Sequence, residues 1–375
     1  MQPGQVIPPS DEPPVSEAPI PVAKPPKSEK KPKSNKHQAL EIIVVFIVLF
    51  LASLFVGMKL FGNSKPADEP PVTAKKATSK TTVVKVEGLH LDPSKNYGNK
   101  YANGILPVGD SHYSKDTPKA GYIYTCNTYA SNLNPSSGGA GTRGPWFVNN
   151  NTQYDINKKV KVQGSITWQP AMTNTIAGQV RTISTNDLPN HVTGIFPISS
   201  KDPAYAYDRN PNSIKTQNLS YSLNVAPKYG PPQCMDGEAG VMLTGVALFN
   251  AFDAGGRDAG AWEVQDGCSG HPQVTGEYHY HTLSSCIKDI SVNTVIGFAL
   301  DGFPITGPQV GQTNILTTSD LDVCHGIVSE VALDGKKTTT YHYVMTQDFP
   351  YSISCFRNTP IKPPGQQGSP PSQHP

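Results

Sequence analysis

Histidine is the residue in this chain whose placement points most directly to chemistry. Six of the ten histidines fall between positions 191 and 342: His191, His271, His279, His281, His325 and His342. Tyr278-His279-Tyr280-His281 alternates two phenols with two imidazoles. On a β-strand, alternate side chains share a face, so His279 and His281 point together and the tyrosines point to the other side. Two imidazoles one strand repeat apart suit a single Zn or Cu ion, which takes ring nitrogens at about 2.0–2.1 Å. The competing reading is structural, with tyrosines packed inward and histidines bonded to neighbouring loops.

A partial internal repeat extends the constellation. Asp266, Cys268 and Gly270 precede the first Tyr-His-Tyr, and Asp322, Cys324 and Gly326 precede a second, Tyr341-His342-Tyr343. A further cysteine follows each, Cys286 or Cys355. Two disulfide-stapled units side by side would bring His279, His281 and His342 together as three nitrogen ligands with a fourth position open, and His271 is the substitute if His342 faces away. Val344 stands where a second histidine would complete the later copy. Asp258, Glu263 and Asp301 are the carboxylates available to orient the imidazoles. Asp301, in Leu300-Asp301-Gly302, has the composition of a tight turn and a structural role to match. The repeat also selects a disulfide pattern, Cys268–Cys286, Cys324–Cys355 and Cys126–Cys234.

Other signals fail on context. Gly139, Gly141 and Gly144 fit G-x-G-x-x-G but lack the strand before and the helix after that a dinucleotide site requires. The acidic run Asp253–Asp258 lacks the alternating oxygens and closing Glu of a calcium loop, and contains Arg257. No Cys-x-x-Cys spacing occurs.

The elements that position these groups follow from the pattern of the rest. The 375 residues carry 31 Lys+Arg against 29 Asp+Glu, a balance with no basic footprint for nucleic acid. Ile42–Met58 is an uncharged apolar run, reaching membrane-spanning length when Leu60 and Phe61 are included. It is too long, and too far from the start, for a cleaved signal peptide. Lysines 24, 27, 30, 31, 33 and 36 crowd its N-terminal side, which places the N-terminus in the cytoplasm and the main domain outside. All six cysteines follow the run, as expected of an oxidising exterior. The expected organisation is a disordered Pro/Lys-rich cytoplasmic tail (1–40), a transmembrane signal anchor (41–62), a stalk (63–82), an extracytoplasmic domain (83–358) and a disordered Pro/Gln-rich tail (359–375). Alternating runs at Lys159–Trp168, Gln179–Ser184, Ser220–Val225 and Thr338–Thr346, with the apolar Gly240–Phe249, predict a mainly β domain. A sandwich or irregular barrel with long loops and disulfides is expected.

The ordered series GRDAGAWEVQDGCSGHP, GEYHYH, GFALDGFPITGP, DLDVCHG and YHYVMTQDFPYSISC resembles the YHYH domain family over roughly residues 145–358. The resemblance implies an extracytoplasmic or membrane-attached domain without an established activity. Two functional classes stay open: a surface-displayed metal-binding domain, or a non-enzymatic adhesion or ligand-binding module whose Tyr/His motifs are packing.

Overall fold

A computed structural model describes residues 86–127 and 142–364. The expected cytoplasmic tail, membrane anchor and stalk lie outside the described residues. Among the described residues no helix is long and apolar enough to cross a membrane.

The domain is mainly β. Short strands β1 (Ile105–Pro107), β2 (Tyr113–Ser114), β3 (Ile123–Tyr124), β4 (Phe147–Val148) and β5 (Gln153–Asp155) make two small sheets, ordered β1-β5-β4 and β2-β3. An antiparallel meander follows: β6 (Met172–Ala177), β7 (Val180–Thr185) and β8 (Leu219–Asn224). Residues 159–168 contribute only single bridges, Val162 to Asp266 and Ile166 to Thr193, instead of the strand expected there. Gly164, with φ +108°, interrupts the run between them.

The remaining strands are β9 (Glu238–Met242), β10 (Ala247–Phe249), β11 (Gly270–Pro272), β12 (Tyr278–Tyr280), β13 (Val295–Ala299), β14 (Pro304–Thr306), β15 (Gln309–Val310), β16 (Asn314–Ile315), β17 (Gly326–Leu333) and β18 (Lys336–Val344). Strands β15 and β16 form a separate pair. The other eight build one open sheet, ordered β11-β12-β10-β9-β13-β14-β18-β17, with edges at β11 and β17 instead of closure into a barrel. The inward residues of the meander, Ile183, Leu219, Tyr221 and Leu223, share a core with Val241, Tyr278, Phe298 and Tyr341 of this sheet.

The sheet is an internal duplicate. In its first half the β9–β10 hairpin pairs through β10 with a parallel β12, which pairs with an antiparallel β11. In the second half β13–β14 pairs through β14 with a parallel β18, which pairs with an antiparallel β17. The halves meet at antiparallel β9 and β13, in the register Gly240↔Ala299, Val241↔Phe298 and Met242↔Gly297. That register exchanges the halves about the Val241–Phe298 pair, a local pseudo-two-fold. The matching segments are GVMLTGVALF (240–249) and GFALDGFPIT (297–306). Each hairpin turns on a left-handed glycine, Gly245 at φ +93° and Gly302 at φ +94°. A Cβ on Gly302 would lie 2.5 Å from the Asn224 carbonyl oxygen, so glycine is required there on two grounds.

The duplicated cysteine loops also match. The Asp266 carboxylate accepts from the backbone N–H of Cys268 and Gly270 and from Tyr278 OH. The Asp322 carboxylate accepts from the backbone N–H of Cys324 and Gly326 and from Tyr341 OH. The disulfides are Cys126–Cys234, Cys268–Cys286 and Cys324–Cys355, the pattern read from the repeat.

Two expectations are corrected. The Tyr-His-Tyr strands share a sheet but are not neighbours, because β10, β9, β13 and β14 lie between β12 and β18. The C-terminal tail does not leave the domain at 359. The Ile361 N–H donates to the Leu300 carbonyl at 2.9 Å and its side chain packs on the core.

Candidate metal centre

Three histidines converge on one point in the first half. His271 on β11 and His279 on β12 are directly opposite in the antiparallel register. His281 follows β12 by one residue and returns to the face of His279, as the strand alternation requires. Their ring nitrogens lie within 4.8 Å of one another. His279 Nε2 and His281 Nε2 are 3.1 Å apart.

Glu263 completes the group. The Asp258 side chain caps the one-turn helix α1 (Ala259–Trp262) by accepting from the Ala261 N–H, and Glu263 is the extended residue that ends it. Glu263 Oε2 thereby lies 3.4 Å from His271 Nε2 and 3.3 Å from His281 Nε2. Four donor atoms at 2.0–2.1 Å from a tetrahedral metal would be separated by roughly 3.3–3.4 Å. Three of the six separations within the quartet, at 3.1, 3.3 and 3.4 Å, fall close to that value.

Backbone carbonyls orient two of the rings. His281 Nδ1 lies against the Asn250 carbonyl oxygen, and His279 Nδ1 is 3.3 Å from the Glu277 carbonyl oxygen. Phe249 stacks on His279 with ring centroids 4.2 Å apart. A ring N–H committed to a carbonyl presents the other nitrogen unprotonated, the state a metal requires. His271 is different: neither of its ring nitrogens has a hydrogen-bond partner, and Glu263 Oε2 is likewise buried without one. A buried polar atom left unpartnered costs about 1–3 kcal/mol, so the cluster is a local energetic liability as it stands.

Electrostatics keep the donors unprotonated or easily neutralised. Burial holds the imidazole pKa values of His271 and His279 well below the ordinary range, reinforced by the neighbouring imidazoles, and brings His281 to about 4. Burial, then Asp253 and Asp208, drives Glu263 well above the usual carboxylate range. The donors line a cavity of about 420 Å³ whose walls include Asp208, Asn210, Phe249, Phe252, Asp253 and Val274.

The other expected residues fall elsewhere. His342 is separated from the cluster by the intervening strands. Its Nδ1 is 3.0 Å from Thr306 Oγ1 and its Nε2 2.8 Å from Ser329 Oγ, so both nitrogens are satisfied by hydroxyls. Asp301 accepts from the Phe303 N–H and Tyr343 OH, an Asx-turn within the second half. Asp258 accepts from the Gly109 N–H and Tyr351 OH and touches no imidazole, acting on the cluster only through the helix it caps. Glu263, expected to orient ligands from behind, stands among them. The supporting carbonyl of Asn250 and the ring of Phe249 escaped sequence reasoning. Phe249 ends an apolar run with no polar signal, and a backbone carbonyl carries no residue-type signal at all.

Residues 220–315 match the family model described as YHYH protein. The match is narrower than the 145–358 span suggested by the motifs and covers the first half of the duplicated sheet with the β13–β14 hairpin. No curated protein and no solved structure gives a match.

Proposed function

We propose that this chain, which carries a YHYH domain, binds a transition metal, zinc or copper, through His271, His279, His281 and Glu263. The observation that carries the reading is the contrast between the two halves of the sheet. By register, His271 corresponds to Ile327 and His279 to His342, and His281 corresponds to Val344. Ile327 and Val344 belong to an apolar cluster with Val292, Leu316 and Leu321, and the remaining His342 has both nitrogens bonded to hydroxyls. The same frame therefore closes with apolar side chains and satisfied polar ones when nothing further is asked of it. The first half instead retains three imidazoles and a carboxylate, with unpartnered atoms on His271 and Glu263. Packing does not require that arrangement. Coordination would satisfy every one of the converging atoms.

The test is elemental analysis of the full-length protein beside its His279→Ala variant. The proposal expects about one zinc or copper per chain in the former and strong depletion in the latter; equal content in both would remove it.

The anchor completes the proposal. The apolar run 42–58 and the lysines before it support a single-pass protein with a cytoplasmic N-terminus, and three disulfides in the domain support its display outside the membrane. Protease added to intact cells should remove epitopes placed after Gly62 and spare those before Leu40. A protected C-terminal epitope would refute this orientation. The alternative of a purely structural Tyr/His motif in an adhesion module fits the tyrosines: Tyr278, Tyr280, Tyr341 and Tyr343 are fully buried packing residues. It leaves the unpartnered His271 without a role.

A further inference from the structure

We infer that strand β6 is a docking edge for a second copy of this chain, the two β6 strands pairing antiparallel about a two-fold axis at Asn174. The inference is independent of the metal reading. Strand β6 (Met172–Ala177) lies at the edge of its meander, which is ordered β6-β7-β8. Only Met172 is half-buried, and the five residues after it are exposed. The Asn186 N–H donates to the Ala171 carbonyl at 2.9 Å, which sets the phase of the β6–β7 ladder. Hydrogen-bonded and non-hydrogen-bonded pairs alternate in an antiparallel ladder, so Thr173, Thr175 and Ala177 bond to β7. Met172, Asn174 and Ile176 therefore direct their backbone N–H and C=O groups outward, where no strand among the described residues meets them.

Sheets blunt open edges with charges, prolines, bulges or a covering segment. The large sheet does so. On β17 the Val328 N–H donates to the Leu89 carbonyl, the Leu91 N–H to the Val328 carbonyl and the Ala332 N–H to the Asn293 carbonyl. Strand β11 is three residues long and ends on Pro272. Strand β6 has none of these devices. Its sequence, MTNTIA, carries no charge and no proline, and its register with β7 runs one-to-one without a bulge. Ile176 adds an apolar side chain that is 47 % exposed.

The strand is complementary to itself. Centring the pair on Asn174 lets the outward groups of both copies meet, with each Met172 opposite Ile176 of the second copy and each Thr173 opposite Thr175. Alternation puts Met172, Asn174 and Ile176 on one face, so both apolar pairs form there and no like charges are opposed. Two-fold pairing uses both free edges at once and stops at a dimer, joining two meanders into one six-stranded sheet. Six residues a side make a small contact, so the association is reversible and a covalent trap is the suitable assay.

The test is oxidative cross-linking of the full-length protein in intact cells, with one cysteine introduced per variant. The native cysteines are all held in disulfides, so only the introduced thiol reacts. Asn174→Cys sits on the axis, where hydrogen-bonded partners have Cα atoms about 5.5 Å apart, within disulfide reach. The change removes the bond from Arg181 Nη1 to Asn174 Oδ1, but Arg181 keeps its ion pair with Asp334 at 2.7 Å. Thr173→Cys places its two thiols on diagonal neighbours roughly 7–8 Å apart, out of reach. Disulfide-linked dimer from Asn174→Cys and none from Thr173→Cys is expected. Adding Ile176→Pro, which deletes an outward N–H and none of the β6–β7 bonds, should abolish the cross-link. Adding Ile176→Lys, which keeps every backbone donor and sets a charge against Met172 of the second copy, should reduce it. Absence of dimer from Asn174→Cys would overturn the inference, as would a cross-link that survives both Ile176 changes. Equal cross-linking of Asn174→Cys and Thr173→Cys would overturn the axis at Asn174.

Discussion

Replacing His271 by isoleucine, the residue at the corresponding place in the second half, separates a metal ligand from a structural histidine. In metal-free protein both ring nitrogens of His271 are buried and unpartnered, and Glu263 Oε2 beside it is unpartnered too. Removing the imidazole relieves the desolvation of the two nitrogens, about 1–3 kcal/mol for each unsatisfied group. Isoleucine is of similar bulk, and part of the gain is offset because Glu263 still faces an apolar neighbour in place of an imidazole. A net stabilisation of about 1–2 kcal/mol is expected in chelator. For a domain of this size that raises Tm by roughly 2–8 °C. With metal present the order reverses. Wild type gains about 2.7 kcal/mol at a free metal concentration one hundred times Kd, and His271→Ile gains little. The assay is thermal unfolding of both full-length proteins, with chelator and with zinc, followed by tryptophan fluorescence. A His271→Ile protein that is less stable than wild type in chelator, and no different in its response to zinc, would refute the reasoning.

Two further outcomes follow from the duplicated frame. The Cys268–Cys286 and Cys324–Cys355 bridges span 18 and 31 residues, so deleting either as a double Cys→Ala change should cost roughly 3–4 kcal/mol in denaturant unfolding. Only the first encloses the ligand strand, and only its loss should weaken zinc binding in a competition assay; equal effects on zinc would contradict the division between the halves. Burial lowers His342 to about 3 from an ordinary value near 6.5, so its stabilising contribution is complete above about 6.5 and falls as pH drops from there toward 3. His342→Gln should therefore lose less stability than wild type between pH 7 and pH 4.5, by about 3 kcal/mol at most, in denaturant titrations at the two pH values; parallel losses would show that His342 does not titrate with unfolding.

Much of this architecture was legible because two signals are local. Alternation of side chains placed His279 and His281 on one face, and the recurring Asp–Cys–Gly and Tyr-His-Tyr spacing exposed the disulfide loops. Strands β7, β8 and β18 followed their apolar alternation closely, and the Gly240–Phe249 run folded as the hairpin of two buried strands. What the spacing did not carry was adjacency. A repeat specifies that two units are alike, not whether their equivalent strands are neighbours, and the antiparallel joint at Val241–Phe298 sends β12 and β18 to opposite sides of the sheet centre. That is why His342 is a satisfied core residue and His271, on the strand paired with β12, stands in the cluster. Glu263 was visible as a nearby carboxylate, but its position depends on the Asp258 cap and the length of a one-turn helix, which sequence spacing does not reveal. At Lys159–Trp168 alternation misled: Val162 is buried and bridges Asp266, while Ile166 is exposed and bridges Thr193, so two isolated bridges to different partners replace a ladder.

X-ray absorption of the zinc-loaded full-length protein tests the central claim most directly, because it reads the ligands themselves. The account predicts a first shell of nitrogen and oxygen at about 2.0–2.1 Å, with outer-shell scattering from three imidazoles. His271→Ile should reduce that imidazole count to two. A shell containing sulfur, or one of oxygen alone without imidazole scattering, would contradict it.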